Sequence, residues 1–238
     1  MSKAFLRKIP GASWLRGGWP DEARFLVQLT ALQNVLDGRE FEGACLNAGS
    51  GEGLYADFLD GFPKVTQIAH MDLERPNIAA CFPTGRHADF VGSMTELPFT
   101  DKSFQSCLCT EVMEHVPDDE KGFSELSRVL APGGLLLITT PTPPAPDDPA
   151  HAREGYTADE MRTKLESHGF KILQQTFCFH WIMRALLVVW RWQFETFGKG
   201  KQSFMPRFIV VLAGVLDRAL RLGKPWDIVV LAQRNPAG

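Results

Sequence analysis

The chain has 238 residues, 45% of them hydrophobic, and a formal net charge of −3. That suits one large α/β domain, or a domain with a sizeable insertion, and gives no overall case for nucleic acid as a partner. The five cysteines are an odd number without framework spacing, which argues against a disulfide scaffold, and no long apolar run of the signal-peptide kind opens the chain.

Reduced core thiols in a cytoplasmic protein are therefore expected. Cys107 and Cys109 would share one face of a strand, but no second pair accompanies them for a zinc site, and no metal centre is expected. Charge is unevenly spread. Residues 1–19 hold Lys3, Arg7, Lys8 and Arg16 and no acid, and residues 179–224 hold eight Lys or Arg against Glu195 and Asp217. Two basic pieces on an acidic body follow.

In chain order, residues 1–19 read as irregular, because Pro10, Gly11, Gly17 and Gly18 interrupt any period. Pro20-Asp21-Glu22 opens a helix to about Leu36, with Phe25, Leu29, Leu32 and Leu36 on one face. Strand and helix then alternate. A strand over 43–48 meets a glycine turn and a helix near 53–60. Further strands are expected over Val65–Met71, near His87–Val91, over Ser103–Thr110 and over Leu135–Thr140. A short helix is expected over Asn77–Cys81, a longer one from about Asp118 to Leu130, and a turn at Ala131-Pro132-Gly133-Gly134. Residues 141–150 form a proline-rich loop. Thr157 and Glu160 predict a capped helix to His168, and strands six and seven follow over Phe170–Phe177 and Trp226–Ala232. Apolar runs alternating with helices imply a parallel sheet covered on both faces, with its ligand at the carboxyl ends of the strands.

The glycine turn is Asn47-Ala48-Gly49-Ser50-Gly51-Glu52-Gly53. A dinucleotide fingerprint would need glycine where Leu54 stands, so NAD and FAD are disfavoured. The lysine of a phosphate-cradling loop is also missing. Asp72 follows Gly53 by 19 positions, at the end of strand two, where a carboxylate can accept from two ribose hydroxyls.

Four segments carry a family resemblance. They are Leu46–Gly53; Met71-Asp72-Leu73; Gly92–Phe99 with Asp101–Phe104; and Glu111-Val112-Met113-Glu114-His115-Val116-Pro117 followed by Leu126–Gly134. In these the chain resembles the class I S-adenosylmethionine-dependent methyltransferases, particularly the small-molecule branch with ubiquinone and menaquinone biosynthesis enzymes. The resemblance covers about residues 43–178 and 226–234. It implies a Rossmann-like α/β fold: a seven-stranded, mostly parallel sheet, helices on both faces, strand seven antiparallel, and a helical insertion between strands six and seven. The expected organisation is an N-terminal arm and cap helix over 1–40 and a cofactor-binding core over 41–178. An apolar basic helical insertion over 179–224 and a last strand and tail over 225–238 complete it.

The resemblance also implies S-adenosylmethionine as cofactor and assigns roles. Gly49, Gly51 and Gly53 would pass beneath its methionine part. Asp72 would hold the ribose hydroxyls and Leu73 would pack on the adenine. Ser93 and Met94 would edge the adenine, and Thr110 and Glu111 would lie near the methionyl end. Asn47 and Ser93 stand where the family usually or often has an acid; both can hydrogen-bond without charge. Asp89 reads as a strand-three residue rather than as that acid.

Methyl transfer from a sulfonium needs alignment and exclusion of water, and a base where the nucleophile is a hydroxyl or an acidic carbon. His115, after strand four, and His151, in the proline-rich loop, are the candidate catalytic residues, since imidazole titrates near neutrality. The alternative for each is capping or packing. Glu114 reads as a helix or turn residue.

The insertion reads as two helices. His180, Arg184, Arg191 and Glu195 form one narrow polar stripe, and residues 206–222 repeat the idea. Three readings compete: a lid over an apolar pocket, docking at a membrane surface, and a homodimer interface or core packing. Neither helix suits a membrane span. The expected function is methyl transfer to a small apolar acceptor at oxygen, carbon or nitrogen. The alternative is a non-catalytic, membrane-associated scaffold. Nucleic acid is not expected as acceptor, because Thr110-Glu111-Val112-Met113 does not match the family's amino-methylase motif.

Overall fold

The computed structural model describes residues 20–82, 85–144, 149–197 and 207–236. The arm 1–19 and the basic linker 198–203 lie outside the described residues. The chain forms two compact units, one from Leu32–Thr176 with Asp227–Gly238, the other from Met1–Ala31 with Phe177–Trp226.

The first unit is built on a sheet. Its strands are β1 (Gly43–Ala48), β2 (Val65–Asp72), β3 (His87–Val91), β4 (Phe104–Thr110), β5 (Leu130–Pro141), β6 (Phe170–Cys178) and β7 (Asp227–Arg234), in the order β3-β2-β1-β4-β5-β7-β6. β1 pairs in parallel with β2 and β4, β2 with β3, and β4 with β5. β7 runs antiparallel to β5, with Pro141 opposite Asp227. Burial in β1, β4 and β7 is nearly continuous rather than alternating, so both faces of the central strands are covered. Strand order reverses between β1 and β4, which puts the ligand crevice beyond Ala48 and Thr110.

The helix α1 (Pro20–Leu36) precedes β1, and α2 (Ala56–Asp60), α3 (Asp119–Val129) and α4 (Ala158–Ser167) lie between these strands. Proline at the first position pre-sets α1, and the left-handed pair Asp37-Gly38 ends it. In α3, Phe123, Leu126 and Val129 are buried at helical spacing, and Asp118 caps the Lys121 amide at 3.1 Å. Thr157 and Glu160 form the expected capping box of α4.

Three local expectations are corrected. The helix after the glycine turn starts only at Ala56, because Gly53 has φ +84° and Leu54-Tyr55 complete a turn. The segment Asn77–Cys81 yields one 3-10 turn, Ala79–Cys81, since Asn77 takes φ 48°. The turn at Ala131–Gly134 lies inside β5. Leu130 pairs with Phe104 and Leu135 with Ser106, so the extra residues bulge out, with Gly133 at φ +80°.

The second unit holds α5 (Trp181–Phe197) and α6 (Arg207–Leu220), which pack on each other. A buried acid on α6, Asp217, accepts from the His180 and Met183 amides at 2.7 and 3.0 Å and so caps the start of α5. Arg184 stacks on Trp226, its guanidinium 4.6 Å from the ring centre. Among the described residues, no helix is long and apolar enough to cross a membrane.

Candidate functional site

The glycine turn is bonded to the end of β2. Gly49 and Ser50 donate to the Met71 carbonyl at 2.8 and 3.0 Å. A side chain is barred at Gly49, with φ +67°, because its Cβ would lie 2.3 Å from Val112. Asp72 is anchored at the same place. Its carboxylate accepts from the Gly51 amide and from its own neighbour Leu73, each at 2.7 Å. Leu73 is 72% exposed, an apolar side chain at the strand mouth.

The next strand ends continue this rim. Gly92 donates to the Asp72 carbonyl at 2.9 Å. Ser93 Oγ accepts from the Thr95 amide at 3.2 Å, and Met94 is buried. Beyond β4, Thr110 is buried and Glu111 takes a left-handed φ of 55°. Glu111 accepts from the Thr139 hydroxyl at 2.7 Å, while its amide donates to the Thr139 carbonyl at 3.1 Å. These groups therefore stand at the carboxyl ends of β1 to β5.

Asn47 is buried in β1 opposite His70, and its amide lies 3.1 Å from His70 Nδ1. Asp89 is on β3, as expected, and holds the Ile78 and Ala79 amides at 3.1 Å.

His115 and His151 come together, their ring centres 4.6 Å apart and nearly perpendicular. Loop residue Arg153 causes this. It donates to the carbonyls of Met113, Val116 and Pro117 at 2.8, 2.9 and 3.1 Å, while Ala152 donates to the Glu114 carbonyl at 2.8 Å. Tyr156 adds a 2.8 Å bond to Asp119. Burial pushes the Tyr156 phenol well up, and Asp119 beside it adds to the effect. Burial alone would raise the Asp119 carboxyl, but hydrogen bonds from Tyr156 and Lys164 outweigh it and hold the carboxyl below its usual value. Sequence reading missed Arg153 and Asp119, whose only signal was a charged residue at each edge of the two loops. Glu114 stands on the 3-10 turn Met113–His115. Cys45, Cys107 and Cys109 are buried in the sheet, which pushes their thiols well up.

Residues 46–138 match the family model described as a methyltransferase domain. A probable S-adenosylmethionine-dependent methyltransferase of Mycolicibacterium smegmatis is 33% identical over 188 residues, which cover 73% of this chain and 67% of that protein. The chain belongs to the S-adenosylmethionine-dependent methyltransferases. The fatty-acid O-methyltransferase of the same organism is 32% identical over 64% of this chain and 52% of that protein. The demethylmenaquinone methyltransferase of Clavibacter sepedonicus is 32% identical over 55% of this chain and 49% of that protein. The chain thus spans about half the length of these last two relatives. Among solved structures, phosphoethanolamine N-methyltransferase 2 of Haemonchus contortus, in complex with S-adenosyl-L-methionine, aligns with TM-score 0.59 and 20% identity over 93% of this chain and 54% of that one. That likeness shows the fold, and the family's cofactor is S-adenosylmethionine.

Proposed function

We propose that this methyltransferase moves the methyl group of S-adenosylmethionine to a small, apolar acceptor. The observation that carries the cofactor site is the 2.7 Å contact between the Gly51 amide and the Asp72 carboxylate, which joins the glycine turn to an acid at the switch point. The residues present fit the cofactor. Asp72 offers acceptors for two ribose hydroxyls, exposed Leu73 and buried Met94 offer apolar surface for adenine, and Ser93 offers a hydroxyl to its rim. Gly49, Gly51 and Gly53 keep side chains off the methionine part, near Thr110 and Glu111. When bound, the cofactor supplies a methyl group already activated by its sulfonium.

The chain's own task is then to bind, orient and exclude water. His115 and His151 stand at the mouth after β4 and β5 as the groups that can accept a proton from the acceptor. One relative is named as a fatty-acid O-methyltransferase and another as a demethylmenaquinone methyltransferase, which supports an apolar acceptor here.

Calorimetry with S-adenosylhomocysteine tests this reading. Asp72→Ala should weaken binding by about 10–100-fold through the loss of charged hydrogen bonds, and Asp72→Asn by less. Absence of binding to the unaltered chain would overturn the reading. Labelled methyl transfer into a lipid and metabolite extract, followed by mass identification, would then identify the acceptor.

The second unit supports a lipid source for that acceptor. Trp181 and Trp192 are 62% and 59% exposed, and Val188, Val189, Leu212 and Val215 are exposed beside the cations Arg218, Arg221 and Lys224. Exposed tryptophan with a basic rim fits an anionic bilayer surface.

A further inference from the structure

We propose that Glu114, His115 and His151 form a binding site for one divalent transition-metal ion, Zn2+ or another first-row ion, with a coordination position left for a hydroxyl group. Each residue offers one ligand atom, and the three atoms lie within 4.8 Å of one another. Ligands on one such ion, each about 2.0–2.2 Å from it, are separated by about 3–3.5 Å. Closing the site therefore asks for movements of about an ångström. His115 is exposed and His151 half-buried, so both imidazoles have room to make them.

The hydrogen bonding of His115 sets up its ligand atom. Its Nδ1 lies 3.0 Å from the Ala150 carbonyl, which can only accept, so Nδ1 carries the proton and donates. In the neutral imidazole that leaves the Nε2 lone pair to serve as the ligand, the arrangement usual for a metal-bound histidine and its outer partner. Nε2 faces Glu114 Oε1 at 3.9 Å, too long for a hydrogen bond. A metal ion between the two atoms would be bound by both. Glu114 is fully buried, and a carboxylate in that position gains most from a nearby divalent charge.

The site is also held in place. Both loops that carry it are bonded together by Arg153 and by the Ala152 amide, which is what brings a residue from beyond β5 onto the turn beyond β4. Two imidazoles and one carboxylate suit zinc, iron, cobalt or manganese better than magnesium or calcium. Three protein ligands leave the fourth position open.

The consequence for chemistry rests on the proposed function. With the ion bound, the two imidazoles act as its ligands in place of taking the proton themselves: a hydroxyl that enters the open position has its pKa lowered by the ion, its O–H bond breaks, the proton leaves to water, and the oxygen keeps the electron pair. Among oxygen, carbon and nitrogen acceptors, the site selects a hydroxyl.

The test uses the full chain, stripped of metal with a chelator and then titrated with Co2+, followed by visible absorption, and with Zn2+, followed by calorimetry. One saturable ion per chain and a ligand-field band are expected. His115→Gln, His151→Gln and Glu114→Gln should each weaken binding at least about tenfold. Thermal unfolding of each variant checks that it folds; His151→Gln, at a half-buried loop position, keeps the test usable if Glu114→Gln does not. No saturable site, or binding unchanged in both histidine variants, overturns the proposal. S-adenosylhomocysteine titrated into the same samples separates the two readings. Metal binding without cofactor binding would sink the methyltransferase reading alone, and cofactor binding without metal binding would sink the metal site alone.

Discussion

Asn47 ends a line of buried polar groups that runs across three strands to Asp60. Asp60 can only accept, so His87 Nε2 donates to it at 3.0 Å. His87 Nδ1 is then the acceptor for His70 Nε2 at 2.9 Å, and His70 Nδ1 the acceptor for the Asn47 amide at 3.1 Å. An aspartate at position 47 could not donate to this line, which gives the amide a structural reason. Burial pushes His70 down to about 4; neighbouring His87 adds to this, and Asp89 opposes it. The unfolded chain takes up this proton below about pH 6.5, the folded chain only near pH 4, so the unfolded state binds more protons between them. Stability from this residue is thus complete above about pH 6.5 and is lost as pH falls through about 4. The loss should reach up to about 3 kcal/mol. Thermal unfolding from pH 7 to 4 checks it: the slope should flatten in His70→Gln, and an unchanged slope would refute the assignment.

The helices of the second unit are joined by a buried charge, Asp217. Sequence periodicity aligned His180 and Arg184 with Arg191 and Glu195 as one narrow polar stripe. His180 is buried against Asp217, 3.5 Å from its carboxylate, and Arg184 lies on Trp226. The side chains of Arg191 and Glu195 lie outside the description. Removing Asp217 leaves two buried amides without their acceptor. Asp217→Ala should cost about 2–4 kcal/mol, localised to this unit. Hydrogen exchange should therefore speed up in α5 before it does in the sheet. Uniform exchange throughout both units would count against the cap.

Over the whole molecule, charge and apolar exposure coincide in the second unit. The insertion holds eight of the chain's 25 Lys and Arg but only two of its 28 acids. Screening by salt should therefore govern any docking to lipid. Co-sedimentation with anionic vesicles is expected at low salt and should fall severalfold at high salt or in a Trp181→Ser, Trp192→Ser double variant. A soluble dimer that ignores vesicles would instead favour the interface reading.

Local periodicity determined the fold class, the spacing from the glycine turn to Asp72 pointed to a nucleoside ligand, and the resemblance of four motifs to a known family implied the cofactor and the residues expected to hold it. Those signals lie within strands and adjacent turns, where side-chain alternation and backbone geometry act over a few residues. The sequence could not show that Asn47 turns to His70, because that depends on the register between β1 and β2. Nor could it join Glu114 and His115 to His151, which lies 36 residues beyond His115 on another loop. The guanidinium of Arg153, bonded to three carbonyls of the facing turn, and the Ala152 amide, bonded to the Glu114 carbonyl, hold those three side chains together.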